Sequence, residues 1–241
     1  MSNYKLTIQY DGTDYAGWQI QENAITVQGT ISDAIRVIIT EEVNLIASGR
    51  TDSGVHALGQ VANFRYEEEI DIYRFQHSLN SILPTDISAI NIQKVSESFH
   101  ARFDAKERTY LYLISKEKNP FYYKYTLLKK NLDLSLLNEL SNSFLGEKDF
   151  TSFCRKNSEV KDKTCKVSFI RWRETKNIYL FFISADRFLH GMVRTIIGTL
   201  FKVLNSGESK NYIENIFNEK TREAAGEAVA AKGLFLYKVK Y

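Results

Sequence analysis

Hydrophobic residues in the first hundred positions recur with two different periods. "YKLTIQY", residues 4–10, reads as a strand. Beyond Thr26, which suits an N-cap, Val27, Ile31, Ala34, Ile35 and Ile38 fall at helical spacing. Two short strand-like runs follow, "NLIA" and "QVANFRY", joined through a polar, glycine-bearing turn. Ile72, Phe75, Leu79 and Ile82 mark a second helix, which Pro84 stops. "ISAINIQKV" is a further strand.

The second half repeats the mixture. "TYLYLIS" and "NIYLFFIS" are strands rich in aromatic and β-branched residues. Leu136, Leu137, Leu140 and Phe144 mark a helix, another runs through "FLHGMVRTIIGTLFKVL", and "LFLYKVKY" is a closing strand. Helices interspersed with strand pairs predict an α+β fold with mainly antiparallel sheets. The polar gap "DAKER" between two strand runs places a boundary there. The expected domains are 1–105 and 106–241. No Pro/Ser-rich linker separates them, which predicts tight packing with an active-site cleft between.

Composition narrows the class. The chain has 241 residues, 44% hydrophobic and 25% charged, ordinary for a globular protein. No apolar run is as long as a membrane span, and the start "MSNYKLTIQYDG" has no signal-peptide apolar region, so a cytoplasmic location is expected. Two cysteines without a C-x-x-C and four histidines without an H-x-x-x-H give no expectation of a disulfide framework or a metal site. Net charge is only +3, but it is uneven. Residues 1–120 hold 11 Lys/Arg against 16 Asp/Glu, net −5, whereas residues 121–241 hold 21 against 13, net +8. Nine basic and four acidic residues fall between Lys148 and Lys176. That asymmetry points to a polyanionic partner, although a charged run is usually a solvated face.

Three stretches could carry chemistry. In "ASGRTDSGVHALGQVANF", the turn between two strands holds Arg50, Thr51, Asp52 and His56, with Gly49 and Gly54 to free the backbone. A polar turn in which Asp52 bonds its own backbone is the plain explanation. A carboxylate beside a guanidinium is also what an ionised nucleophile or base requires. In "ADRFLHGMVRTIIGTL", Arg194 lies on an apolar helix with Gly191 and Gly198 at i−3 and i+4 on its own face. Each interior glycine costs about 1 kcal/mol against alanine, so a close-approaching backbone or ligand is expected there. Arg194 either snorkels to solvent or needs a partner. In "FHARFDAKERTYLYLI", His100, Arg102, Lys106, Arg108, Tyr110 and Tyr112 interleave cations and rings, as RNA binding favours, although aromatic residues suit strands in any case.

These stretches, in this order, resemble the tRNA pseudouridine synthase A family over essentially the whole chain. "YDGTDYAGWQIQ", "TVQGTISDAI", "GRTDSGVHALGQV", "FLGEKDFTSFCR" and "AAKGLFLYKVKY" complete the likeness. The resemblance makes Asp52 the catalytic aspartate, Tyr110 the tyrosine that packs on the target uracil and Arg194 the arginine that pairs with the aspartate. It makes Arg50 an arginine that helps extrude the base. His56 and Arg102 join Arg50 and Tyr110 as candidate substrate contacts. It implies two domains facing each other across a basic cleft and a homodimer with tRNA touching both subunits. The implied reaction isomerises uridine to pseudouridine at positions 38, 39 and 40 of the anticodon stem-loop, with no cofactor and no metal. Ser53, Lys148 and Val229 stand where that family more often has Ala or Lys, His, and Pro. A non-catalytic RNA-binding protein and a carboxylate-nucleophile hydrolase acting on nucleosides each fit part of the pattern.

Overall fold

The structure, a computed structural model, describes residues 1–156 and 160–241. The chain forms two compact units: residues 1–106 with 235–241, and residues 107–234. The closing strand therefore belongs to the first unit and not to the second half of the chain. The reason is backbone pairing: β10 (Leu234–Lys240) lies parallel to β3 (His56–Tyr66), with Phe235 opposite His56 and Leu236 opposite Ala57.

In the first unit the strand order is β4-β1-β3-β10. β1 (Ser2–Tyr10) runs antiparallel to β3 on one side and to β4 (Ile87–Val95) on the other. The two-residue β2 (Ile46–Ala47) pairs antiparallel with β3. Tyr4, Leu6, Ile8 and Tyr10 alternate inward along β1, the period of a half-buried strand. Helices α1 (Val27–Ile39) and α2 (Ile72–Ile82) pack on each other, and α2 packs on β4. Thr26 caps α1 by accepting from the Gly29 amide, and Asp71 caps α2 through the Arg74 amide. Ile39, not Ile38, closes the buried stripe of α1, and Ile82 at the end of α2 is exposed.

β3 is buried along most of its length and carries polar residues inward. Each has a partner. Asn63 donates to Asn3 Oδ1 at 2.9 Å and accepts from the Ala101 amide at 2.8 Å, which pins the segment after β4 against the sheet. Satisfied in this way, a buried amide costs little and fixes register.

In the second unit the order is β5-β9-β8-β7, all antiparallel: β5 (Glu107–Ser115), β9 (Ile178–Ala185), β8 (Thr164–Glu174) and β7 (Gly146–Asp149). β6 (Leu127–Leu128) adds to β5 in parallel. α3 (Leu134–Ser141), α4 (Met192–Ser206) and α5 (Lys210–Glu219) complete it. Phe153 and Phe217 lie 4.9 Å apart, with Phe144 and Phe150 against both, and Trp172 donates its indole N–H to Ser141 Oγ at 3.0 Å. Phe144 sits not on α3 but on a 3₁₀ turn that continues it. Among the described residues no helix is long and apolar enough to cross a membrane.

Candidate active site

The loop of residues 49–55 leaves β2 and enters β3, and it is held from one side by the segment after β1. Thr51 is the anchor. It is buried, its hydroxyl shares a 2.7 Å hydrogen bond with the Tyr10 phenol, and its carbonyl accepts from the Trp18 amide at 3.1 Å. The Val55 amide donates back to the Asp52 carbonyl at 3.2 Å, closing a tight turn in which Gly54 has φ +72°. That left-handed conformation is the reason for glycine at 54. Gly49 has no such reason, since its φ is not positive and a Cβ there would meet nothing within 4 Å. The Ser53 hydroxyl and the Gly54 amide both reach the Tyr15 carbonyl, at 3.2 and 3.4 Å. Gln60, on β3, donates to the Gly49 carbonyl at 2.9 Å.

Backbone approach completes the clamp. A Cβ at Gly12 would lie 2.0 Å from the Val55 carbonyl oxygen, and one at Gly17 would lie 2.7 Å from that of Thr51. Gly12, Tyr15 and Gly17 were not among the site residues expected from the pattern. Their signal was two glycines five apart beside aromatic residues in "YDGTDYAGW". Asp52 is thus a half-buried carboxylate on a loop whose backbone has little freedom. Burial pushes the Tyr10 phenol well above its ordinary value, against the opposing hydrogen bonds of Thr51 and Gln60. It therefore stays a neutral hydroxyl beneath the loop.

The other residues singled out in the first unit have different settings. Arg50 is exposed beside Asp52 in sequence. His56 is 1% exposed and stacks on Phe235 with ring centroids 4.6 Å apart. Its Nδ1 is 3.0 Å from the Gly12 amide and 3.0 Å from Asp11 Oδ1. Nδ1 accepts from the amide when it carries no proton and donates to Asp11 when it carries one, and one nitrogen cannot do both at once. So enclosed, His56 shapes the turn and has little open face for a substrate. Arg102 is exposed, with its guanidinium 5.7 Å from the Phe103 ring centre.

In the second unit, Tyr110 lies on β5 opposite Ile183, half-buried, with its ring edge-on to Phe188 at 5.1 Å and 90°. Tyr112, two residues along, is buried completely, and its hydroxyl donates to the Ala230 carbonyl at 2.7 Å. It is a core residue, its ring closed off by Gly233, where a Cβ would come 2.7 Å from the ring. Burial raises the Tyr112 phenol, and the positive charge of Arg194 opposes the rise.

Arg194 lies in the first turn of α4, half-buried. Its Nε donates to the Val229 carbonyl at 2.7 Å, and the Val229 amide donates to the Arg194 carbonyl at 3.2 Å. A proline at 229 could accept but not donate. Gly191 is not inside the helix but caps it, at φ +73°. Gly198 is inside, and the close neighbour is backbone: a Cβ there would fall 1.7 Å from the Glu227 carbonyl oxygen. The same crossing that demands Gly198 brings Val229 alongside Arg194. Among the described residues no cluster of three or more His, Cys, Asp or Glu could hold a metal ion.

A half-buried aspartate on a clamped loop and an arginine oriented by backbone fit an enzyme that works with a fixed carboxylate. The chain matches the family model described as tRNA pseudouridine synthase over residues 6–104 and 140–241. It is 42% identical to tRNA pseudouridine synthase A 2 of Clostridium perfringens, over the full length of both chains. It is also 42% identical to tRNA pseudouridine synthase A of Caldicellulosiruptor saccharolyticus, again over both full lengths, and 39% identical to that of Bacteroides fragilis, over 100% of this chain and 97% of the other. A solved Cbf5-Nop10-Gar1 complex is similar over 83% of this chain and 44% of that one, at 13% identity and a TM-score of 0.40. The chain belongs to the tRNA pseudouridine synthase family, whose members are isomerases that convert uridine to pseudouridine.

Proposed function

We propose that the chain isomerises uridine to pseudouridine at positions 38, 39 and 40 of the tRNA anticodon stem-loop, acting as a cytoplasmic homodimer without a cofactor. The observation that most supports a carboxylate-driven reaction is the clamp on residues 49–55, which displays Asp52 at a fixed place. In this reading Asp52 is the nucleophile or base, and the terminal nitrogens of Arg194 grip it with two parallel hydrogen bonds. Tyr110 packs on the uracil. Arg50 helps displace the base from the stem, and Arg102 takes phosphate. His56 acts at one remove, by fixing the turn at Asp11 and Gly12.

The chemistry balances without outside electrons. The N1–C1′ bond breaks, C1′ rejoins the ring at C5, the C5 proton leaves and N1 gains one. What the protein must supply is a held, detached uracil and a poised carboxylate. Flipping a base out of a stem costs a few kcal/mol, which contacts to phosphates help offset. The test is incubation with unmodified tRNA transcripts followed by mapping of pseudouridine. Wild type should give product at 38–40, and Asp52→Asn should give none while binding tRNA with the same Kd. Product from Asp52→Asn would remove the aspartate from the chemistry, and product elsewhere in the tRNA would overturn the positional assignment. Sedimentation of the free protein tests the dimer.

A further inference from the structure

Residues 116–130, "KEKNPFYYKYTLLKK", place Phe121, Tyr122, Tyr123 and Tyr125 within five positions of one another. Phe121 is 83% exposed and Tyr123 59%, with Tyr122 and Tyr125 also open. The segment lies between the two stretches that match the family model, and none of the residues given a role above falls within it. It is not loose chain. The Phe121 amide is held by Asn119 Oδ1 at 2.8 Å, the Tyr125 amide donates to the Tyr122 carbonyl at 2.9 Å, and the Thr126 hydroxyl bonds the same carbonyl at 2.8 Å. Lys232 donates from its ammonium to the Tyr123 carbonyl at 2.6 Å, and β6 ties the far end to β5. The rings are therefore displayed on a preformed turn.

Charge identifies what they face. The segment holds five lysines and one glutamate. Lys116 is paired with Glu174, and Lys118, Lys124 and Lys130 are exposed. Exposed rings alone would suit a protein partner, but rings interleaved with lysines that outnumber the segment's one glutamate suit a polyanion that also offers flat faces. We infer that residues 118–125 form an RNA-binding platform, on which Phe121 and Tyr123 stack on unpaired bases while Lys118 and Lys124 contact flanking phosphates. Resting on the tRNA reading above, this adds a further contact, on residues 118–125, to the same substrate.

Two variants separate the parts. Phe121→Ala with Tyr123→Ala should weaken tRNA binding roughly tenfold or more at fixed salt, from the usual worth of base–aromatic stacking, and leave the salt slope unchanged. Lys118→Ala with Lys124→Ala should shallow the slope of log K against log[salt] by about two. Both should keep single-turnover isomerisation at saturating protein near wild type, since neither touches the site above. Wild-type Kd and slope in both variants, with wild type itself active, overturn the platform alone. A wild-type protein that neither binds nor modifies tRNA overturns the platform together with the proposed function. A changed sedimentation coefficient in Phe121→Ala with Tyr123→Ala at unchanged Kd overturns it in favour of a contact between copies.

Discussion

Gly17 and Thr51 touch through backbone: a Cβ on Gly17 would stand 2.7 Å from the carbonyl oxygen of Thr51, the residue before Asp52. Gly17 also has φ +99°, a conformation that side-chain-bearing residues rarely adopt. The position of Asp52 is thus set from the far side of the turn. Gly17→Ala should destabilise the protein by roughly 1–3 kcal/mol through strain and overpacking. Because the relief available is movement of the loop, kcat/KM on tRNA should fall at least tenfold with Kd unchanged. Thermal unfolding and single-turnover assays read the two effects separately. Full activity in Gly17→Ala would mean that the loop tolerates displacement.

Such a contact explains what the hydrophobic pattern could and could not convey. α1, α2 and β4 were legible, because their apolar residues repeat at one period and Thr26 and Pro84 mark their limits. β8 was not, because Lys166, Arg171 and Arg173 made it read as a basic run. In the structure they are the outward face of a strand whose Cys165, Val167, Ile170 and Trp172 point inward. α5 was missed for a related reason, since only Ile213 and Ile216 of its ten residues are buried. The place of β10 follows from pairing across the whole chain, which no local window contains. Residue types singled out Asp52 and Arg194 as candidates, and Gly198 announced a close neighbour. That the neighbour is the backbone at Glu227, and that it carries Val229 to Arg194, depends on tertiary packing alone.

Alkaline stability should depend on Cys165. Its side chain is buried, and burial pushes the thiol up to about 12, partly opposed by the charge of Arg187. The neutral thiol is favoured in the folded state, while the unfolded thiol ionises near its ordinary 9.0. Between those values the folded protein holds more protons than the unfolded chain, so stability falls as pH rises, by at most about 1.4 kcal/mol per pH unit for one group. Urea unfolding at pH 8, 9 and 10 should show a shallower decline for Cys165→Ala than for wild type. Parallel declines would show that the thiol is not what titrates.

Tyr110 separates stacking from proton transfer. Its ring stands at 90° to that of Phe188 with centroids 5.1 Å apart, a contact that a phenylalanine ring retains. Tyr110→Phe should therefore keep both fold and tRNA affinity. If the hydroxyl also takes the C5 proton, single-turnover release of that proton should drop by about 10²-fold or more, the usual worth of a general acid–base group. Wild-type release from Tyr110→Phe would leave the ring a stacking role only. Tyr110→Ala should lose activity in either case.

Arg194 provides the strictest test, because its geometry is set by Val229. Nε is bonded to the Val229 carbonyl at 2.7 Å, which aims the planar guanidinium, and in the proposed function its terminal nitrogens grip the Asp52 carboxylate end-on. A lysine keeps the charge but has one nitrogen, which cannot bond Val229 and grip a carboxylate with a fork. Arg194→Lys should bind tRNA nearly as wild type and lose about 10²-fold or more in single-turnover C5 proton release, as expected when a reacting group is misplaced by about an ångström. Arg194→Ala should be slower still. Added guanidinium should restore part of the Arg194→Ala activity, and added methylammonium should restore less, because only the first reproduces the fork. A structural role would instead lower the melting temperature and respond to neither cation. Arg194→Lys with wild-type turnover, or equal rescue by both cations, would show that charge suffices and that the Val229 anchor serves α4 packing alone.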